Sequence, residues 1–297
     1  MNDLKSLLGP MRVPFLMLTP ACVLLGLGTA VWVSGGVSPV HFVITLIGAV
    51  ASHISVNAFN EYFDFKSGLD FKTQRTPFSG GSGTLPAKPE LARQALATAV
   101  VSAVVVCLVG IYFLRVRGLA LLPLGVAGLL VVILYTPLIA RNPLACLVAP
   151  GLGFGTLMVV GTHFALTGEY SPTALAASFV PFFLVSNLLF LNQFPDVDAD
   201  RSVGRKNYPI VIGRKKSSVI YGAFLLFAFL SIVVAVMLGY LPRASLIGLG
   251  ALAIAVPAAV GAWRYADDVK RLAPYMGLNV VINIVTPVLV AVGLLIA

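Results

Sequence analysis

Residues 95–114 read ALATAVVSAVVVCLVGIYFL, a stretch of twenty residues without a single formal charge. A helix of about 20 mostly apolar residues is long enough to cross the hydrocarbon core of a bilayer. The whole chain has this character, because 59% of its 297 residues are hydrophobic and only 10% are charged. Soluble domains carry about 25% charged residues, and disordered chains combine low hydrophobicity with high charge. Both classes are therefore excluded, and the composition predicts an integral membrane protein.

Further apolar stretches of similar length occur along the chain and are separated by short polar or glycine- and proline-containing segments. Prolines within them are compatible with kinked membrane helices, since neighbouring helices satisfy the freed backbone groups. We expect an all-α fold, a polytopic bundle in one domain spanning 1–297. Its nine predicted transmembrane helices lie at about 13–34, 40–60, 95–114, 118–140, 142–166, 172–195, 217–241, 244–263 and 273–297.

The distribution of basic residues predicts the orientation of this bundle. With nine spans, seventeen of the 20 Lys and Arg residues fall on the side of the N-terminus, Lys5 among them, and only Arg115, Arg117 and Arg243 fall on the other side. Positive residues accumulate in cytoplasmic loops. The N-terminus is therefore predicted to be cytoplasmic, in a multi-pass protein of the cell inner membrane. The net charge of +9 follows from this topology and indicates no nucleic-acid partner.

Ten of the eleven acidic residues fall on the same predicted cytoplasmic side, and Glu169 is the exception. The first group lies at the predicted cytoplasmic end of the second span, in the sequence NAFNEYFDFKSGLD, residues 57–70. Asn57, Asn60 and Asp64 lie at i, i+3 and i+7 and therefore share one helix face. Gly68 is suited to end the helix, which would let Asp70 turn back towards that face.

A second polar group lies at the predicted cytoplasmic end of the sixth span, in the sequence NQFPDVDADR, residues 192–201. Asn192, Asp196 and Asp200 lie at i, i+4 and i+8, again on one face, whereas Asp198 points elsewhere. Solvated helix ends with ordinary ion pairs are the alternative interpretation. That alternative would be the better one for a single such motif, but it is weaker for two matched faces on separate spans.

Carboxylates on one polar face repel each other and are costly to desolvate unless a cation neutralises them. Ligand sets made only of oxygen favour a hard ion such as Mg²⁺, which takes part of its coordination shell from water and substrate phosphate. Neighbouring basic residues suit an anionic group held between metal and side chains; they are Lys72, Arg75, Arg141, Arg205 and Lys206. Together these features indicate a diphosphate with an apolar tail as the ligand.

The two motifs resemble those of the UbiA superfamily of intramembrane prenyltransferases, which carries N-x-x-N-[DE]-Y-x-D-x-x-x-G-x-D and, much later, N-x-x-x-D-x-x-x-D-R-x-x-G-[KR]. This sequence has them at 57–70 and 192–206. The resemblance extends to Arg12 with Pro14 at the start of the first span and to Leu134-Tyr135-Thr136-Pro137 followed by Arg141. It implies nine helices and a Mg²⁺-dependent transfer of a polyprenyl group from its diphosphate to an aromatic acceptor.

By the same resemblance, Asp64, Asp70, Asp196 and Asp200 would be the catalytic carboxylates that hold two Mg²⁺ ions. The amides of Asn57, Asn60 and Asn192 would assist as metal ligands. The residues expected to bind substrate are Arg12, Lys72, Arg75, Tyr135, Arg141, Arg201, Arg205 and Lys206. Aromatic faces would stabilise an allylic cation, and the candidates are Tyr62, Phe63, Tyr135 and Phe194.

The form N-x-x-N-E-Y-F-D is most similar to the dihydroxynaphthoate, or menaquinone, branch of the family. We therefore expect a polyprenyl diphosphate, an aromatic acceptor such as 1,4-dihydroxy-2-naphthoate, and membrane lipid as partners. The alternatives are a different acceptor, such as 4-hydroxybenzoate or another ring or lipid, and, from another class, a secondary transporter. The sequence leaves open whether Gly80–Gly83 forms a lid over the site or a flexible linker.

Overall fold

The computed structural model describes residues 8–297, so Lys5 and its predicted cytoplasmic position lie outside the described residues. Within that range the fold is all-α, without a β-strand, as predicted. The helices are α1 Leu18–Ser34, α2 Pro39–Lys66, α3 Thr84–Ala87, α4 Ala92–Arg117, α5 Leu122–Leu134, α6 Pro143–Gly151, α7 Met158–Thr167, α8 Pro172–Ser202, α9 Tyr208–Ile212, α10 Arg214–Met237, α11 Leu252–Arg264 and α12 Val269–Leu295.

Eight helical segments in residues 8–297 are long and apolar enough to cross a membrane. They correspond to eight of the nine predicted spans. The fourth predicted span, 118–140, is represented by the shorter apolar segment Leu119–Leu134. Its helix ends at Leu134, three residues before Pro137, whose ring disfavours helical conformation in the residue before it. The count of nine spans and the cytoplasmic N-terminus remain predictions.

Helix α8 lies in the centre of the bundle and packs against α1, α6, α10 and α12. Its side chains Leu184, Leu191 and Phe194 are fully buried in the main apolar core. Because lipid is as apolar as the helix surfaces, membrane helices associate through close packing at small residues. Gly151 and Gly155 provide this close approach, since a Cβ atom on either would collide with the backbone of Phe182 in α8.

The helical segment that carries these glycines is irregular in its middle. Residues Leu152–Leu157 form a π-helical turn between α6 and α7, just after Pro150 inside α6. A proline removes one backbone donor, and π-turns commonly occur where the regular hydrogen-bond ladder is interrupted. The widened turn faces the interior, because Gly153, Phe154 and Leu157 line the larger of the two cavities described below.

Two helices extend beyond their predicted apolar stretches. Helix α2 continues to Lys66 and α8 continues to Ser202, whereas the predicted spans ended at 60 and 195. The residues assigned to a shared helix face therefore lie on regular helix: Asn57, Asn60 and Asp64 on α2, and Asn192, Asp196 and Asp200 on α8. Asp70 follows α2 in a separate 3-10 turn.

The close contact at Gly151 leads to a first prediction. In Gly151→Ala the added methyl group meets the carbonyl oxygen of Phe182, so α6 and α8 must separate, at a cost of about 3 kcal/mol. Thermal unfolding in detergent measures this loss. Gly110→Ala is the matched control, because a Cβ atom there meets open space and should leave the midpoint unchanged or slightly higher. Equal midpoints for both variants would contradict the packing interpretation.

Candidate active site

The two acidic helix ends line one cavity of about 130 Å³, called here the acidic cavity. It is lined mainly by α2, α8, the 3-10 turn Leu69–Phe71 and the segment Phe78–Gly81. The residues selected from sequence that line it are Arg12, Asn60, Asp64, Asp70, Tyr135, Asn192, Asp196, Asp200 and Arg205.

The path of the chain after α2 brings Asp70 into this cavity. Gly68 follows the end of α2 with φ +77°, a left-handed conformation that glycine adopts without the penalty of a side chain. The chain then forms a 3-10 turn in which Asp70 is buried, with only 5% of its surface exposed. The predicted helix end at Gly68 and the return of Asp70 are thus confirmed.

On α8 the face predicted from residue spacing is also confirmed. Asn192, Asp196 and Asp200 line the acidic cavity, whereas the side chain of Asp198 is 86% exposed and lies 3.9 Å from Arg214. Asp198 therefore provides a carboxylate on the same helix end but outside the cavity.

A single guanidinium joins the two helix ends. Arg205 contacts the carboxylate of Asp64 on α2 through Nη2, and its Nη1 donates to Oδ1 of Asp200 on α8 at 3.1 Å. Asn207 donates to the other oxygen of Asp200 at 3.0 Å. Burial lowers the pKa of Arg205, but the charges of Asp64 and Asp200 raise it more, so the net pKa is above its usual value.

Other oxygen atoms of the cavity have no partner. Oδ2 of Asp70, Oδ1 of Asn192 and Oδ1 of Asp196 are buried without a hydrogen bond. Buried carboxylate and amide oxygens are normally satisfied, so these three atoms fit a divalent cation with oxygen ligands. In residues 8–297 no three His, Cys, Asp or Glu side chains are close enough to hold one ion, and Asp64 and Asp200 are turned to Arg205. The residues fit Mg²⁺ in chemistry, but their present arrangement is that of an ion-paired site.

The surroundings of Asp70 make ionisation of its carboxyl group unfavourable. Burial, with the negative charges of Glu61 and Asp64, raises its pKa to about 7, although Arg12 and Arg75 partly oppose the shift. A carboxyl group in such surroundings is expensive to ionise without a nearby positive charge. The cavity therefore has too little positive charge of its own for the carboxylates that line it.

Arg12 lies at the rim of the cavity in an unusual backbone conformation. It has φ +51°, the only positive value for a non-glycine residue in 8–297, and separates two 3-10 turns. Its side chain donates to Oε1 of Glu61 at 2.8 Å and to Oδ1 of Asn60 at 3.1 Å. Strained residues of this kind persist where surrounding contacts hold them, and here two side chains of α2 provide those contacts.

Glu61 is a site residue that the sequence did not identify. It is fully buried and, besides Arg12, accepts hydrogen bonds from the backbone N–H of Ser82 at 2.7 Å and from its hydroxyl at 2.9 Å. Gly81 lies so close that a Cβ atom there would be 3.2 Å from both Glu61 and Asp70. Through its hydrogen bonds to Ser82, Glu61 therefore holds the glycine segment Gly80–Gly83 next to the acidic cavity, which Gly80 and Gly81 line. Its i+4 spacing from Asn57 was a signal for this position.

A second, larger cavity of about 320 Å³ adjoins the acidic one and is called here the apolar cavity. Helices α1, α2, α4, α5, α6, α7 and α8 and the π-helical turn line it, mostly with apolar residues such as Val106, Phe113 and Leu129. The residues common to both cavities are Arg12, Asn60, Phe78, Tyr135, Leu189 and Asn192. His53, to which the sequence analysis assigned no role, also lines the apolar cavity. Its Nδ1 is 2.8 Å from the hydroxyl of Thr19.

Some residues selected from sequence are not brought into the acidic cavity. Among the described residues, Asn57 lines only the apolar cavity and donates its amide to the carbonyl of Met11 at 3.0 Å. Arg75 lies against Gly83 of the glycine segment. Of the bases selected from sequence, five lie outside the described lining of both cavities: Lys72, Arg75, Arg141, Arg201 and Lys206.

Three of the four aromatic candidates for cation stabilisation also lie elsewhere. Tyr62 packs near Leu85 in a separate apolar cluster, Phe63 stacks on Phe59, and Phe194 is fully buried in the main core. Of the four, only Tyr135 lines a cavity in the part of the chain that the structure describes. Residue type near a motif was a poor guide because helix faces decide which rings reach the site.

The contacts of Glu61 lead to a second prediction. Glu61→Ala leaves Arg12 without its buried partner and is expected to cost about 3 kcal/mol of stability. It also releases Ser82, so trypsin should cleave after the exposed Arg75 faster than in the unmodified protein. Ser82→Ala keeps the backbone hydrogen bond and should cost only about 1 kcal/mol. Unchanged stability and cleavage rate in Glu61→Ala would contradict the role of Glu61 in holding the glycine segment.

Known proteins of similar sequence and similar fold exist. The 1,4-dihydroxy-2-naphthoate octaprenyltransferase of Bacillus subtilis is 28% identical over 201 residues, which cover 67% of this chain and 63% of that protein, a little under two thirds of its length. The apo structure of a UbiA homolog from Aeropyrum pernix K1 superposes with a TM-score of 0.70 at 17% identity, over 96% of this chain and 98% of the other.

The structure of a UbiA homolog from Archaeoglobus fulgidus bound to GPP and Mg²⁺ has a TM-score of 0.62 at 14% identity, over 97% of this chain and 99% of the other. At these identities the two structures support the fold alone. The model of the UbiA prenyltransferase family matches residues 19–281, well over half of the chain. The protein therefore belongs to the UbiA prenyltransferase family, as its two acidic motifs predicted.

Proposed function

We propose that this protein transfers a polyprenyl group from its diphosphate to an aromatic acceptor, a quinone precursor of the 1,4-dihydroxy-2-naphthoate type, with Mg²⁺. The observation that carries the proposal is the adjacency of the two cavities. A buried, oxygen-lined cavity formed by the ends of α2 and α8 meets an apolar cavity between the helices. A prenyl diphosphate likewise joins a charged, oxygen-rich head to an apolar tail.

The diphosphate would occupy the acidic cavity together with its metal ions. The residues that would hold Mg²⁺ are Asp64, Asp70, Asn192, Asp196 and Asp200, three of which present unpartnered buried oxygens. When bound, Mg²⁺ neutralises the charge that develops on a leaving diphosphate. Arg12 and Arg205 line the same cavity, and their guanidinium groups match phosphate oxygens in a two-pronged geometry.

The apolar cavity would receive the prenyl tail. Its volume of about 320 Å³ is at the lower end of the range for small-molecule sites, about 300–1,000 Å³. Between the cavities, Tyr135 and Phe78 contribute aromatic side chains beside the position that the reacting carbon would take. Aromatic faces attract cations more strongly when water is excluded.

In the proposed reaction the bond between C1 of the prenyl group and the diphosphate oxygen breaks, and the electron pair leaves with the diphosphate. The allylic cation is then attacked by the electron-rich ring, forming a carbon–carbon bond. When the attacking carbon of a dihydroxynaphthoate is the one that bears the carboxylate, the bond to that carboxylate breaks, carbon dioxide leaves, and its electron pair restores the aromatic ring. No ring proton is then removed, so this step requires no general base. The protein's part is to orient the two substrates, exclude water and hold the diphosphate charge.

The acceptor assignment is supported by two separate observations. The first motif has the form N-x-x-N-E-Y-F-D, and the Bacillus subtilis relative is a 1,4-dihydroxy-2-naphthoate octaprenyltransferase. The concentration of basic residues on one side of the bundle supports an inner membrane protein whose active site faces the cytoplasm.

The position of the acidic residues along their helices bears on the transporter alternative. Asp64 and Asp200 lie within three residues of the ends of their helices, which favours a site near the membrane surface over a transporter site at the bilayer midplane.

The direct test uses the purified protein with Mg²⁺, an allylic polyprenyl diphosphate and a panel of aromatic acceptors. We expect diphosphate release and a prenylated, decarboxylated naphthoate product by mass spectrometry, with both lost on addition of EDTA. Prenylation of 4-hydroxybenzoate alone would change the acceptor and keep the reaction class. No diphosphate release with any acceptor would contradict the proposal.

The metal assignment leads to a third prediction. Asp196→Asn removes charge from the acidic cavity and should lower turnover at least about 100-fold, because the leaving diphosphate loses its stabilisation. Asp198→Asn changes the same residue type on the same helix end, but outside the cavity, and should remain within about twofold of the unmodified rate. Equal rates for the two variants would contradict the assignment of the α8 face to the metal.

A further inference from the structure

The contact between Arg205 and two carboxylates has a specific geometry. Its Nη2 contacts Oδ1 of Asp64 and its Nη1 lies 3.1 Å from Oδ1 of Asp200, residues that belong to different helices. Their carboxylates are buried, whereas the side chain of Arg205 is 19% exposed. The guanidinium thus lies between the two acidic helix ends and retains access to the open side of the cavity.

The turn that carries Arg205 is held independently of its guanidinium. The backbone N–H of Arg205 donates to the carbonyl of Asp200 at 3.1 Å. Asn207 donates to Oδ2 of Asp200 and, through its own Oδ1, accepts from the N–H of Ile210 at 3.1 Å, which caps α9. Because the backbone is fixed by these bonds, the Arg205 side chain can change partners without movement of the turn.

The position of the guanidinium conflicts with a metal ion. A Mg²⁺ ion ligated by Asp64 and Asp200 together would have to lie within about 2.1 Å of an oxygen of each. The Nη atoms of Arg205 occupy the space next to the Oδ1 atoms of both. Asn207 already donates to Oδ2 of Asp200, so Asp200 has no oxygen without a donor. An ion ligated by both carboxylates must therefore displace one of these donors, and the guanidinium is the one that its positive charge repels.

The other lining carboxylates do not resolve the conflict. Asp70 and Asp196 each keep a buried oxygen without a partner, and the nearby Arg12 is paired with Glu61. The cavity thus offers a divalent ion free oxygens, while one monovalent group holds the two carboxylates that would complete the site. A diphosphate would supply a new partner for the displaced guanidinium.

Resting on the proposed function, we propose that Arg205 is the counter-ion of Asp64 and Asp200 as long as the cavity holds no ligand. A divalent cation displaces its guanidinium from the two carboxylates, and the displaced guanidinium then pairs with the diphosphate. Metal alone binds weakly, because it must break two buried ion pairs. Metal and diphosphate together bind well, because the released guanidinium pairs with phosphate oxygens. By linkage, each ligand then raises the affinity for the other by the same factor.

The test measures binding and not turnover. The affinity of the purified protein for Mn²⁺, used as a spectroscopic substitute for Mg²⁺, is determined by electron paramagnetic resonance with and without inorganic pyrophosphate. In Arg205→Gln we expect Mn²⁺ alone to bind about tenfold more tightly, while pyrophosphate binds more weakly and the coupling between the two ligands is reduced. A damaged fold would weaken both, so the gain in metal affinity distinguishes the proposal from a structural defect.

Two further variants complete the experiment. Lys216→Gln removes one positive charge at the exposed start of α10 and should leave Mn²⁺ affinity unchanged. Arg205→Lys keeps the charge but cannot bridge both carboxylates with two planar donors, so a smaller gain is expected, and this variant carries the test if the glutamine variant does not fold. Unchanged or weaker Mn²⁺ binding in the Arg205 variants would overturn the proposal. If the unmodified protein binds no Mn²⁺ even with pyrophosphate, the proposed function itself fails.

Discussion

The structure depends on the enclosure of several carboxylates in a small space that is largely shielded from water. Asp64, Asp70 and Asp200 are buried, and Asp196 lines the same cavity. At low effective dielectric the repulsion among such charges is large, and each also loses hydration. The chain must therefore supply positive charge or hydrogen-bond donors at this place, and Arg205, Asn207 and the turn after α2 are arranged around that requirement.

Much of this arrangement follows from sequence because it obeys local rules. Hydrophobic length predicted the spans, and helical periodicity predicted which of Asp196, Asp198 and Asp200 would face inward. The left-handed preference of glycine predicted the turn at Gly68. These features depend on residues within two or three helical turns of each other, so one sequence is enough to predict them.

Other features depend on how distant segments meet, and here the sequence was a weaker guide. Five basic residues near the motifs lie outside the cavity linings, whereas Arg205 reaches carboxylates on two helices. The path of a loop decides which base reaches inward, and nothing in the spacing of charges encodes that path. Glu61 was missed for a related reason, because its partners Arg12 and Ser82 lie in segments 49 and 21 residues away.

These distant contacts form a continuous connection around the boundary of the two cavities. Asn60 donates to the hydroxyl of Thr136 at 3.1 Å and accepts from Arg12, which pairs with Glu61, which in turn holds Ser82. The connection joins Arg12, helix α2, Thr136 after α5 and the glycine segment. Tyr135, which lines both cavities, directly precedes Thr136. The hydrogen bond from Asn60 to Thr136 therefore ties the backbone segment that carries Tyr135 to the residue that also accepts from Arg12. Asn60 thus links two of the residues that lie where the polar and apolar cavities meet.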